Sequence, residues 1–178
     1  MEGSRLPIDL CEKLIDHCYS EPCRANLLLN KGEDPRSSWR TLFNCALTCR
    51  AWLTRSRFNL YTAVILRRPQ DIDTFTNTIA LHPFLAEFVR VLMVTNYNEP
   101  GNVYFPFARI ELVRNMRCLQ SLLMNTHYTR TYPPPHRRLI ARYPITTLSI
   151  SVDSFPTPIA FCRFLWAFTR LERLRLLL

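Results

Sequence analysis

The sequence of 178 residues is poor in glycine and lacks the short motifs that define the common classes of enzyme. It contains only 3 glycines, and the patterns GxxxxGK(S/T), GxGxxG, HExxH and GxSxG and the EF-hand loop are all absent. These patterns supply phosphate-binding loops, zinc sites, strained nucleophiles and calcium sites. Without them no catalytic or metal-binding residue can be assigned. We therefore expect a protein that is not an enzyme and has no cofactor.

The sequence also lacks the features of a membrane or secreted protein. It has no run of 18 or more apolar residues, and its N-terminal segment has no apolar signal core. The 7 cysteines are odd in number and include no CxxC pair, which argues against a disulfide framework and against a zinc site. These absences predict a protein of the cytoplasm, the nucleus or both, with no membrane partner.

Positive charge is plentiful, but it is not concentrated in any one stretch. The net charge is +9, which by itself would favour an acidic partner or a nucleic acid. The arginines are dispersed, however, and no tract of five or more basic residues exists. The aromatic residues fall on expected core faces and not within a basic stripe. We expect a solvated, arginine-rich surface, and nucleic-acid binding is the less favoured alternative.

Residues 1–58 predict a small helical domain. Apolar residues recur at helical spacing between Ile8 and Cys18, and Pro7 suits the first turn of a helix. A second helix is predicted over 38–55, after a connection over 20–37. Two helices this short cannot bury a stable core alone. The apolar stripe of the second helix consists of Leu42, Cys45, Ala46, Cys49, Trp52 and Leu53.

Two short motifs in this domain resemble the F-box family. Leu6-Pro7 opens the first helix, and Ala46-Leu47-x-Cys49-Arg50-Ala51-Trp52 lies in the second. The apolar segment that follows directly is similar to F-box-like proteins of fungi. The resemblance implies docking onto the Skp-type adaptor of a cullin–RING (SCF) ubiquitin ligase. By position, the adaptor contacts would be Leu6, Pro7, Ile8 and Leu10 on the first helix, and Leu47, Cys49 and Trp52 on the second.

Residues 59–178 contain an internal repeat. Five segments fit the pattern apolar-x-x-apolar-x-apolar, at spacings of 27, 31, 26 and 26 residues. Helical patterns lie between them, over 70–82, 106–117, 134–142 and 157–169, and prolines mark many of the boundaries. Alternating strands and helices predict an α/β fold with a parallel sheet. The five segments start at Tyr61, Phe88, Leu119, Ile145 and Leu171.

The period near 27 residues resembles an irregular leucine-rich-repeat region. The resemblance implies a curved solenoid whose strands line one face. A small open α/β sheet is the rival fold. The last segment, Leu171–Leu178, ends within a predicted strand and has no capping element, so we expect an array that is truncated at its C-terminus.

Together these features predict an adaptor protein, with the first domain on a Skp-type adaptor and the repeat array on a target protein. The target would contact strand residues that point away from the core. A repeat-type protein-binding scaffold without a ligase role is the main alternative. The predicted target-binding residues are Arg90, Gln120, Thr147 and Arg173.

Overall fold

The chain forms two compact units. The computed structural model describes residues 7–19, 35–96, 112, 115–126, 143–151, 155 and 157–177. Unit 1 comprises Met1–Tyr61 and unit 2 comprises Thr62–Leu178. The helix predicted over 134–142 lies outside the described residues. Of the helix predicted over 106–117, the structure describes only residues 112 and 115–117.

Unit 1 is built from three helices, α1 (Ile8–Cys18), α2 (Pro35–Thr48) and α3 (Arg50–Thr62), the last of which ends at the first residue of unit 2. Pro7 immediately precedes α1 with a φ of −54°, and its ring matches the conformation of a helix start. Asp9 places a carboxylate in the first turn, where the helix dipole stabilises negative charge. Helix α1 packs against α2.

The sequence predicted one helix over 38–55, and this prediction is wrong, because the helix is interrupted at Cys49. The Thr48 hydroxyl donates a hydrogen bond of 2.9 Å to the carbonyl oxygen of Asn44, one turn earlier. Such a bond competes with the helical backbone pattern and tends to bend or end a helix. The next helix begins at Arg50 and continues to Thr62, so the strand that follows starts only at Ala63.

Unit 2 contains a five-stranded parallel sheet. Its strands are β1 (Ala63–Leu66), β2 (Val91–Asn96), β3 (Ser121–Thr126), β4 (Thr147–Ser151) and β5 (Arg173–Leu177). They lie in the order β1-β2-β3-β4-β5, so each pairs with the next along the chain. The predicted α/β class with a parallel sheet is confirmed.

Local capping fixes where the described helices of unit 2 begin. Helix α4 (Pro69–Leu81) starts where the Asp71 carboxylate accepts hydrogen bonds from the backbone N–H groups of Arg67 and Arg68, each at 3.0 Å. A 3₁₀ helix, Pro83–Phe88, follows. Helix α5 (Pro158–Leu165) begins after Thr157, whose hydroxyl accepts from the N–H of Ala160 at 3.1 Å. It is shorter than the helix predicted over 157–169.

The register of β2 differs by one residue from the predicted repeat. Val64 pairs with Leu92, which in turn pairs with Leu122. The repeat unit of β2 therefore starts at Val89 instead of Phe88, and paired residues are 28, 30, 26 and 26 positions apart. The error arises because Val91, Leu92, Met93 and Val94 are all apolar, so alternation does not identify the core face.

Two rows of apolar side chains run across the sheet and form its core face. In the first row, Leu92, Leu122 and Leu148 are 0%, 1% and 0% exposed, whereas Leu174 of β5 is 40% exposed. In the second row Val94, Met124 and Ile150 are buried, whereas Leu176 of β5 is 49% exposed. Equivalent leucines are thus buried in β4 and partly exposed in β5, where the sheet ends among the described strands.

This difference predicts unequal effects of one substitution at two equivalent positions. Leu148→Ala should lower the free energy of unfolding by about 3 kcal/mol, because it leaves a cavity in a closely packed core. Leu174→Ala should lower it by less than about 1 kcal/mol, because its side chain already contacts solvent. Urea denaturation followed by circular dichroism measures both values. Equal losses would contradict the difference in burial between Leu148 and Leu174.

Candidate partner-binding surfaces

The predicted adaptor contacts fall on all three helices of unit 1. Pro7, Ile8 and Leu10 lie at the start of α1, and Leu47 lies in the last turn of α2. Cys49 separates α2 from α3, and Trp52 belongs to the first turn of α3. Leu6 lies outside the described residues.

Helix α1 has apolar side chains on two faces. Cys11 and Ile15 are buried and form its core face, with one helical turn between them. Leu10 and Leu14, also one turn apart, are 48% and 53% exposed. Ile8 is half exposed as well. A helix that needs only one apolar face for its own fold therefore presents a second apolar face to solvent.

Helix α2 repeats this arrangement. Leu42 is fully buried, whereas its neighbour Phe43 is 57% exposed and Leu47, one turn later, is 70% exposed. We call Ile8, Leu10, Leu14, Phe43 and Leu47 the apolar patch of unit 1. The sequence prediction missed Leu14 and Phe43. The signal that identifies them is their four-residue spacing from Leu10 and Leu47.

The two remaining predicted contacts differ from the apolar patch. Cys49 is exposed, as a docking residue should be, although the sequence also placed it in the apolar stripe of a continuous helix. Trp52 is half-buried, so part of its indole contributes to the packing of unit 1. Cys49 is therefore exposed to a partner, and Trp52 only in part.

A polar cluster joins α1 to α3. The Arg55 guanidinium donates two hydrogen bonds to the Asp16 carboxylate, from Nε at 2.6 Å and from Nη2 at 2.5 Å. The Asn59 side-chain amide donates a third, at 2.9 Å. Such bidentate charged hydrogen bonds also fix the orientation of the two side chains. Arg55 additionally stacks over the Phe58 ring, 5.1 Å from its centroid.

The electrostatics of this cluster favour the charged forms of both partners. The hydrogen bonds from Arg55 hold the pKa of Asp16 below its usual range, against the opposing effect of burial, and Asn59 lowers it further. The same bonds raise the pKa of Arg55. Nearby, burial raises the pKa of the Cys45 thiol, and the neighbouring Cys18 raises it further. A raised pKa makes Cys45 a poor nucleophile at neutral pH.

The predicted target-binding residues of unit 2 fall into two rows of the sheet. Thr147 and Arg173 are register partners on β4 and β5. Arg90 and Gln120 each lie one residue before their strands, and the N–H of Gln120 donates to the carbonyl oxygen of Arg90 at 2.9 Å. The four therefore form two pairs in two adjacent rows and do not share one row of the sheet. The sequence prediction missed Arg175, two residues beyond Arg173 and likewise exposed.

Comparison with known proteins gives no relative for either unit. No protein-family model, no curated protein and no solved structure matches the chain. Within the described ranges, no three His, Cys, Asp or Glu side chains lie close enough to hold a metal ion. The helices described by the structure include none that is long and apolar enough to cross a membrane.

The Asp16 cluster predicts how the stability of unit 1 depends on pH. The folded-state pKa of Asp16 is lowered, so its contribution is present above the unfolded-state pKa of about 4 and is lost as the pH falls through the folded value. Asp16→Ala should lower the free energy of unfolding by about 1 kcal/mol at pH 7, a value limited by the partial solvent exposure of the pair. The difference from the wild type should shrink as the pH falls below the unfolded-state value and through the lowered folded-state pKa of Asp16.

Tryptophan fluorescence during urea denaturation measures this effect in unit 1. Trp39 and Trp52 lie in unit 1 and are half-buried, whereas Trp166 of unit 2 is 78% exposed. The matched control is Glu87→Ala, which removes an exposed carboxylate from unit 2. A pH-independent loss in the Asp16 variant, or an equal loss in the control, would contradict the role given to Asp16.

Proposed function

We propose that the chain is a protein-interaction adaptor: unit 1 docks onto a Skp-type adaptor of a cullin–RING ubiquitin ligase as an F-box does, and unit 2 holds a target protein. The observation that carries this proposal is the apolar patch of unit 1. Four of its five side chains are aliphatic, and all five lie on two helices that pack against each other. Such a subunit would act in the cytoplasm or the nucleus.

The patch favours a protein partner with an apolar groove. Burying an aliphatic side chain stabilises an assembly by about 1.5–3 kcal/mol, relative to leaving it in water. Clusters of exposed apolar side chains on helices typically mark protein interfaces, and apolar side chains at intervals of three and four residues are the usual way a helix fills a groove. Leu10 with Leu14, and Phe43 with Leu47, provide such intervals.

The Asp16 cluster supports the docking proposal by holding the helices in place. The hydrogen bonds of Asp16 to Arg55 and Asn59 connect α1 with α3 through polar groups. The exposed leucines of α1 are therefore not needed for that connection. Their exposure in the free chain is consistent with burial on binding, as at other preorganised interfaces.

The sheet topology of unit 2 supports a leucine-rich-repeat-like array over the rival open sheet. Each strand pairs with the next along the chain, at offsets of 26 to 30 residues. An open doubly wound sheet reverses its strand order, and its ligands bind at the point of reversal. No reversal occurs among the five described strands. A repeated unit instead provides an extended face, which suits a protein target.

Co-purification with a Skp-type adaptor tests the role of unit 1. The wild-type chain should retain the adaptor through affinity purification and gel filtration. The double variant Leu10→Glu/Leu47→Glu should bind at least about tenfold more weakly, because it places two charges in an apolar interface. The matched control is Leu81→Glu/Ile159→Glu, which changes two exposed apolar residues of unit 2 and should bind as the wild type does.

Two outcomes would contradict the proposal. If the wild type fails to bind the adaptor, unit 1 has no ligase role, and a repeat-type scaffold becomes the better description. If both double variants bind as tightly as the wild type, the apolar patch is not the docking surface. Circular dichroism of both variants establishes that any loss of binding is not a loss of helix.

A further inference from the structure

Two cysteine side chains of unit 1 meet between the helices that carry its apolar patch. Cys18 is the last residue of α1, and Cys45 lies in the last turn of α2. Their thiols share a side-chain hydrogen bond, and neither sulfur belongs to a disulfide. Because α1 packs against α2, the fold brings together two thiols that are 27 positions apart in the sequence.

This pair lies at the margin of the small core of unit 1, where solvent reaches it. Cys18 follows the buried Ile15 by three residues, and Cys45 follows the buried Leu42 by three, so each thiol extends the core face of its own helix. Both cysteines are partly exposed. A cysteine that only fills a core is covered and therefore inert, whereas a small oxidant in the solvent can reach these two.

We propose that Cys18 and Cys45 form a reversible redox site, in which hydrogen peroxide converts the two thiols to a disulfide between α1 and α2. Peroxide oxidises one sulfur to a sulfenic acid and releases one water. The second thiol then attacks that sulfur and displaces its hydroxyl group as a second water. Two molecules of a small thiol such as glutathione reverse the change by exchange, and they leave as their own disulfide.

Contact between the two thiols favours the disulfide over irreversible oxidation. A sulfenic acid without a neighbouring thiol is oxidised further, to the sulfinic acid. Here the second thiol is already in place, and a reaction within one molecule is faster than a second encounter with peroxide. Burial raises the pKa of Cys45 and so reduces its thiolate fraction, an effect that this proximity offsets. Cys18 ends α1, and helix ends adjust readily to a small movement.

The disulfide makes the stability of unit 1 depend on redox conditions. It closes the loop between positions 18 and 45, which restricts the unfolded chain and so favours the folded one. This inference goes beyond the proposed docking function and does not rest on it, because its measurements are a covalent mass and an unfolding temperature. Failure of the adaptor experiment therefore leaves the redox site standing, and the reverse also holds.

Peptide mapping of the oxidised full chain identifies the disulfide. Trypsin releases each cysteine of the pair in a segment that holds a second one, Cys23 in 14–24 and Cys49 in 41–50. The test variant is therefore Cys23→Ser/Cys49→Ser. After peroxide treatment it should lose the mass of two hydrogens and yield the two segments joined by a disulfide. The matched control adds Cys45→Ser and should yield no such product.

Oxidation of the unfolded chain shows whether the fold selects this pair. In urea, Cys18 of the test variant should join Cys11 in preference to Cys45, by roughly sevenfold, because the shorter loop closes more readily. In the folded chain Cys11 is buried, and Cys18 should join Cys45 at least about tenfold more often than Cys11. A preference that reverses between the two conditions is the result expected.

Thermal unfolding measures the effect of the disulfide on unit 1. Tryptophan fluorescence reports on this unit through Trp39 and Trp52. Oxidation of the test variant should raise its unfolding temperature by at least about 5 °C, and glutathione should return it to the starting value. The variant that also carries Cys45→Ser should show no rise after the same treatment.

Several results would overturn the proposal. One is a Cys18 or Cys45 that peroxide converts to the sulfinic acid with no disulfide formed. Another is the same choice of disulfide partners in the folded and the unfolded chain, which would show that the fold does not select the pair. A third is an unfolding temperature that oxidation leaves unchanged or lowers, or that glutathione does not restore.

Discussion

The in-register pairing of successive strands is the constraint on which unit 2 depends. A single strand with its helix cannot bury its own apolar face, so each of Leu92, Leu122 and Leu148 leaves water only because a neighbouring strand lies on either side. The offset between neighbours varies by only four residues, and connecting segments absorb that variation. Leu174 is the same kind of side chain in the same row, but it has a neighbouring strand on one side only within the described sheet and keeps 40% of its surface in solvent.

Unit 1 follows a different principle, in which polar contacts hold helices together and apolar side chains remain available. Asp16 receives three hydrogen bonds from α3, and Cys11, Ile15 and Leu42 provide a small buried core. The exposed leucines of α1 and α2 are additional to that core. A module of this kind can be folded while still presenting apolar surface. Both units thus leave apolar residues uncovered, unit 1 on its helices and unit 2 at its last strand.

The sequence predicted where the strands of unit 2 lie better than it predicted their register with one another, and the reason is physical. The apolar spacing located all five strands, because each carries two apolar side chains on the core face, and these are buried in β2, β3 and β4. It misplaced β2 by one residue, because Val91–Val94 is apolar at every position and alternation carries no information there. In unit 1, periodicity predicted α1, but it could not decide which of two apolar stripes is buried, so Leu14 was missed as a surface residue. The bonds of Arg55 to Asp16 span 39 positions, and no local pattern could predict them.

The one-sided pairing of β1 and β5 gives the described sheet two edges from which it can open. The amides of β3 are held between two strands, whereas β1 and β5 each have only one neighbouring strand within the described sheet. Deuterium from solvent should therefore replace the protons of β1 and β5 before those of β3, and a protease should cut at these strands before it reaches the middle of the sheet. When β5 separates, Leu148 and Ile150 become edge residues, and β4 becomes the next strand to open.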